Sequence, residues 1–252
     1  MERAARIRDY EIRLRASFTA GARVMTSRVF RKYVAELCEP DPAFDELYLE
    51  GCFATGTDVC PLRRRDRFRI LVQQLERTLA LDGRVAECGC FRGLSSYLLC
   101  SRLRRNEAGF TGAGYEIYDS FEGLSEPAEQ DKGAVDAQVI AANHRGQFSQ
   151  PLEEVRRALS RWFPEIAYRP GWIPDGFRHD DARYRFVHID VDLYQPTRAS
   201  FEYFWPRLVP GGVMVCDDYN WPGAKLAAEE FAGRIGTTFG VTASSQAVFS
   251  KP

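Results

Sequence analysis

The stretch "RVAECGCFRGLSSYLLCSRLRR", residues 84–105, passes from a short apolar run of strand length, through two glycines, to apolar residues at helical spacing. "RVAEC" reads as a strand, Gly89 and Gly93 as a tight turn, and "LSSYLLCSRLRR" as a helix. Working outward from this unit, the alternation continues. "GAGYEIYD" reads as a strand, "PLEEVRRALSRWF" as a helix, "EIAYRP" as a short strand and "YRFVHID" as a strand. "QPTRASFEYFWPRL" follows as a helix, "GGVMVCD" as a strand, "GAKLAAEEFAGRIG" as a helix, and "VTASSQAVFSK" as a closing hairpin. Such alternation predicts an α/β fold: a mostly parallel central sheet with helices on both faces and an antiparallel edge hairpin. Ligands bind such sheets beyond the carboxyl ends of the strands.

Toward the N-terminus the pattern is different. Residues 1–80 read as a basic, helical arm, with "SRVFRKYVAELCE" and "RRRDRFRILVQQLERTLAL" at helical spacing. The intervening "PDPAFDELYLEGCFATGTDVCP" reads as a loop-like patch, because its Pro and Gly residues break the periodicity. The chain therefore divides into a cap over residues 1–80 and a main domain over 81–252. Residues 121–150 form a long polar segment that reads as a lid.

The 252 residues suffice for one generous core, and a formal net charge of −1 offers no global field for nucleic acid or an acidic membrane. No apolar run is long enough to span a membrane. The seven cysteines include no C-x-x-C pair and several lie in apolar runs, which suits reduced, buried thiols and a cytoplasmic protein. The basic cluster Arg63, Arg64, Arg65, Arg67 and Arg69 reads as a solvated face or a contact in a homo-oligomer.

The chemistry gathers at strand ends. Gly89 and Gly93 let the backbone approach a ligand, although turn glycines alone are a weak signal. Asp119, at the end of "YEIYD", is placed to hold ribose hydroxyls, or else caps the next turn together with Ser120. "FVHIDVDLYQPT" and "GGVMVCDDYNWPG" each end in acids: Asp190 and Asp192, then Asp217 and Asp218. Carboxylates so clustered repel one another unless a cation sits among them, and an all-oxygen set selects a hard divalent ion. His188, inside an apolar strand, reads as a packed core residue. His144, in the lid, reads either as a mobile general base or as a solvated loop residue.

"VAECGCFRG", "YDSFEGL", "GWIPDGF", "HIDVDLYQPT" and "PGGVMVCDDYNWPGAK", in this order, resemble the macrocin O-methyltransferase family over residues 80–252. The resemblance implies a Rossmann-like class I methyltransferase fold, S-adenosylmethionine and Mg²⁺ as cofactors, and a sugar hydroxyl of a natural product or nucleotide sugar as acceptor. It places adenosylmethionine against Glu87, Gly89 and Gly93, with Asp119 and Ser120 near the ribose, and Phe121, Gly171 and Trp172 completing the set. It places Mg²⁺ among Asp190, Asp217 and Asp218, with Asp190 also the preferred base; His144, from its place in the lid, is a second catalytic candidate. Asp192 matches the second acid of the D-x-D. The rival reading is a glycosyltransferase whose D-x-D holds a metal and a sugar nucleotide. No nucleic-acid partner is expected.

Overall fold

The computed structural model describes residues 41–60, 63–132 and 144–252. Helix α1 (Pro42–Thr55) and helix α2 (Arg63–Glu76) precede the sheet. Then come β1 (Arg84–Cys88), α3 (Leu94–Asn106), β2 (Tyr115–Asp119), α4 (Leu152–Ser160) and β3 (Ala167–Pro170). The second half runs β4 (Tyr184–Ile189), α5 (Tyr194–Phe204), β5 (Leu208–Cys216), α6 (Pro222–Ile235), β6 (Gly240–Val241) and β7 (Ala247–Ser250).

The seven strands lie in the order β3-β2-β1-β4-β5-β7-β6. The first five are parallel, β7 runs antiparallel to β5, and β6 pairs antiparallel with β7 at the edge. Strand order reverses between β1 and β4, so a crevice opens beyond Cys88 and Ile189. The expected α/β architecture and its edge hairpin are both present.

Strand period decides which helix packs where. Val85, Ile117, Phe186 and Val215 point to one face, where they meet α1, α2, α3 and α4. Their neighbours Ala86, Tyr118, Val187 and Met214 point to the other face and meet α5 and α6. The described part of residues 1–80 therefore shares a core with the sheet: Leu47, Tyr48, Leu71 and Leu75 pack in one cluster with Val85 and Leu98. The helix expected at "SRVFRKYVAELCE" falls outside the described residues.

The segment read as loop-like, from Pro42, is instead helix α1. Asp41 caps it by accepting from the Phe44 amide at 3.0 Å, Pro42 occupies the first turn where its missing N–H is no loss, and Gly56 ends it in a left-handed conformation. Gly51 inside that helix serves close packing, since a Cβ there would meet Leu94 of α3 at 2.8 Å. Proline and glycine here mark boundaries and contact rather than irregular chain.

Glu116 joins four adjacent strands. It accepts from Tyr184 of β4 at 2.7 Å, Tyr118 of β2 at 2.9 Å, Arg84 of β1 at 2.9 Å and Arg169 of β3 at 3.1 Å. Burial alone would raise its pKa, but the hydrogen bonds from Tyr184, Tyr118 and Arg169, with the charge of Arg169, hold it below the usual glutamate value. A carboxylate depressed on folding contributes stability that is complete above its unfolded value and is lost as pH falls through the folded one. Glu116→Gln is expected to cost about 2 kcal/mol near neutral pH. It should also flatten the loss of stability below about pH 5, which urea denaturation at pH 7 and pH 4 measures.

Candidate active site

The crevice beyond β1, β2, β4 and β5 is a cleft of about 330 Å³. One wall is the turn after β1. Gly89 has φ +80°, and a Cβ there would sit 1.8 Å from the Asp190 carbonyl oxygen, so this position requires glycine. Asp119, at the end of β2, stabilises the turn by accepting from the Cys90 amide and the Phe121 amide, each at 2.7 Å. Ser120 donates to the Gly123 carbonyl at 2.7 Å, and the Trp172 indole donates to the same carbonyl at 3.1 Å. Phe91 and Phe148, both exposed and both at positive φ, meet edge to face at 5.7 Å beside the turn.

The opposite wall is acidic. Asp190 follows β4, while Asp217 and Asp218 follow β5. Between them lies Arg67 of α2. Its Nη2 is 2.7 Å from Asp218 Oδ1 and 3.6 Å from Asp190 Oδ1, and its Nε contacts Asp217 Oδ2. Asp192 sits at φ +58° in a tight turn closed by the Leu193 amide and the Val191 carbonyl, and its own amide donates to Asp218 Oδ2 at 3.2 Å. Burial and the charges of Asp217 and Asp218 push the Asp190 carboxyl well above the usual aspartate value. Burial would also raise Asp217, but the charge of Arg67 and the hydrogen bond and charge of His188 hold it low.

Behind this wall the chain buries a second ionic link. Fully buried His188 lies 3.1 Å from Glu87 Oε1 through Nδ1 and 3.7 Å from Asp217 Oδ1 through Nε2. Burial would lower its pKa, yet the hydrogen bonds and charges of Asp217 and Glu87 raise it to about 10. His188 thus stands between two carboxylates, where the sequence suggested only packing.

Of the residues singled out in the sequence, Gly89, Asp119, Ser120, Gly171, Trp172, Asp190, Asp217 and Asp218 line the same cleft. Glu87, Gly93, Phe121 and His144 do not. Glu87 is fully buried beneath the turn, accepting from Ser96, from Tyr115 at 2.8 Å and from His188. Gly93 packs toward Leu159 of α4. His144 is exposed, with its Nδ1 3.0 Å from the Arg145 carbonyl. The segment read as a lid is described only at its ends. Asp131 accepts from the Tyr194 amide at 2.7 Å, and Leu124 exchanges amide–carbonyl bonds with Gly146 and Gln147; residues 133–143 lie outside the described residues.

The basic run is a correction. Arg65 is fully buried and pairs with Asp45 and Asp66, Arg64 lines the cleft, and Arg67 enters the acidic wall. Arg65 and Arg67 are therefore turned into the protein rather than to a solvated face, while Arg64 is exposed. Arg67, Phe91 and Phe148 are the site residues that local pattern did not reveal.

The acidic wall fits a hard divalent cation. Asp190, Asp217 and Asp218 offer carboxylate oxygens to one cleft, with Asp192 beside them. His188 Nε2, buried and without a hydrogen-bond partner among the described residues, lies 3.7 Å from Asp217 Oδ1, and His188, Asp190 and Asp217 each bring one ligand atom close enough to share an ion.

Residues 55–243 match the family model described as Macrocin-O-methyltransferase (TylF). The chain is 33% identical over 181 residues to the 8-demethyl-8-(2,3-dimethoxy-alpha-L-rhamnosyl)-tetracenomycin-C 4'-O-methyltransferase of Streptomyces olivaceus, covering 69% of this chain and 67% of that protein. It is 29% identical over 126 residues to the mycinamicin III 3''-O-methyltransferase of Micromonospora griseorubida, covering 48% and 49%. The matches thus span about half to two thirds of these relatives' own length. Among solved structures, the O-methyltransferase NovP superposes with a TM-score of 0.63 at 21% identity, over 80% of this chain and 88% of that one. Nothing among these supports the glycosyltransferase reading.

Gly89→Ala is expected to unfold at a markedly lower temperature, by about 3 kcal/mol or more, because the new Cβ meets backbone as well as positive-φ strain. Gly109→Ala, also at positive φ but in open space, should cost only about 1 kcal/mol. Calorimetric melts of the two variants give the comparison.

Proposed function

The chain belongs to the macrocin O-methyltransferase family, and from that premise we propose that it moves the methyl group of S-adenosylmethionine to a hydroxyl of a deoxysugar borne by a natural product. The observation that carries this reading is the single cleft that faces the Gly89–Asp119 turn with the acidic wall of Asp190, Asp217 and Asp218. A finished glycoside is preferred to a nucleotide sugar because the relative from Streptomyces olivaceus is named for a rhamnosyl-tetracenomycin acceptor.

Residue roles follow from the geometry. Gly89 admits the donor against bare backbone, and Asp119, whose two oxygens already hold the turn, has remaining lone pairs for ribose hydroxyls. Trp172, Phe91 and Phe148 supply apolar surface that excludes water from the reacting groups. Adenosylmethionine, when bound, supplies an electrophilic methyl on a positive sulfur, which leaves with its electron pair. Asp190, Asp217 and Asp218 would hold a divalent ion, whose charge lowers the pKa of a nearby hydroxyl. Asp190, which follows β4 and lines the cleft beside the turn at Gly89, accepts the hydroxyl proton. Described parts of the cap, through Thr57, Arg64 and Phe68, shape the acceptor side of the cleft.

The test is radiolabelled methyl transfer to rhamnosylated polyketides and, separately, to nucleotide-activated rhamnose, with and without EDTA. Transfer is expected to the glycosides, to stop with EDTA and to return with added Mg²⁺. Asp190→Asn should lower kcat by about 100-fold or more while S-adenosylhomocysteine binding changes less than about twofold. Undiminished turnover in that variant would move the base elsewhere, and stabilisation of the protein by UDP but not S-adenosylhomocysteine would remove the methyltransferase assignment.

A further inference from the structure

The carboxylate oxygens that a divalent ion would need are already engaged by a side chain of the protein. Arg67 reaches all three acids at once, with Nη2 2.7 Å from Asp218 Oδ1 and 3.6 Å from Asp190 Oδ1, and Nε on Asp217 Oδ2. A guanidinium and a divalent ion cannot share these oxygens, since each would face an unscreened like charge at contact distance. We propose that Arg67 is the built-in counter-ion of the acidic wall and that a divalent cation binds by displacing it into the cleft, so that Arg67 sets the metal affinity. The proposal rests on the metal-assisted reading given above.

Two further observations support a side-chain exchange rather than a movement of α2. The Gln246 amide nitrogen donates both to the Arg67 main-chain carbonyl, at 3.3 Å, and to Asp217 Oδ1, which ties the helix backbone to the acid independently of the guanidinium. The Arg67 side chain is 30% exposed and lines the open cleft, so it has space to swing into while the backbone stays in place. The released guanidinium would lie beside Arg64 and Phe68, on the side proposed for the acceptor. The exchange also explains how four acids coexist in a folded chain before any ion arrives. Arg67 neutralises part of their charge and accepts only hydrogen-bonding geometry that it can later give up.

The experiment is Mn²⁺ binding, followed by the free-ion electron paramagnetic resonance signal, for the wild-type protein, Arg67→Met and Arg67→Lys. Arg67→Met is expected to bind Mn²⁺ about tenfold more tightly or better, with Arg67→Lys between the two, because the competing cation is removed or loosened. In the wild-type protein, titration with Mg²⁺ should abolish the protected Nε–H resonance of Arg67, which needs no variant to fold. Equal or weaker Mn²⁺ binding by Arg67→Met, or an Arg67 resonance unchanged at saturating Mg²⁺, would overturn the proposal and leave the metal site standing. Absence of Mn²⁺ binding in both wild type and Arg67→Met would overturn the metal reading as well.

Discussion

At the carboxyl ends of β1 and β4 the chain passes itself so closely that a Cβ on residue 89 would reach within 1.8 Å of the Asp190 carbonyl oxygen. That approach joins two halves of chemistry. The turn after β1 offers bare backbone to a ligand, and the strand end of β4 delivers a carboxylate to the same space. Any side chain at Gly89 would separate them. The Asp190 amide bonds to the Cys88 carbonyl at 2.8 Å, and the Asp217 amide bonds to the Ile189 carbonyl at 2.8 Å, so β1, β4 and β5 are locked in step as they end. The parallel register therefore carries directly into the positions of the acids.

Beneath the open cleft lies a buried charge chain. Glu87 of β1, His188 of β4 and Asp217 after β5 run across the sheet, with the imidazole between two carboxylates. Breaking such a link strands an uncompensated charge in the core, so it constrains strand order as well as charge. On the solvent side Arg67 continues the alternation of sign. Arg67 and His188 hold the Asp217 carboxyl low, whereas burial and neighbouring acids push those of Asp190 and Asp192 up.

The strands were legible because each is a short apolar run with acids or glycines at its end, and the two helical faces followed from residue alternation. The segment from Pro42 to Thr55 was not, because proline at a first helical turn and glycine in a helix contact look locally like breakers. Eight of the site residues read from the sequence line one cleft, a consequence of strand ends sharing one edge of a parallel sheet. Glu87 and Gly93 flank that cleft without lining it, since one alternates inward from the strand and the other turns toward α4.

Local pattern by itself determined the α/β class, the glycine turn and the acids at the ends of β2, β4 and β5, because periodicity and turn chemistry act over a few residues. Only the tertiary structure decided what neutralises those acids. Arg67 meets Asp218 across 151 residues of chain, and His188 meets Glu87 across 101. Neither arginine in a basic helix nor histidine in an apolar strand announces its partner. Their charges acquire meaning when α2 packs on the sheet and the strands fall into register, since ion pairing depends on distance in space rather than position along the chain.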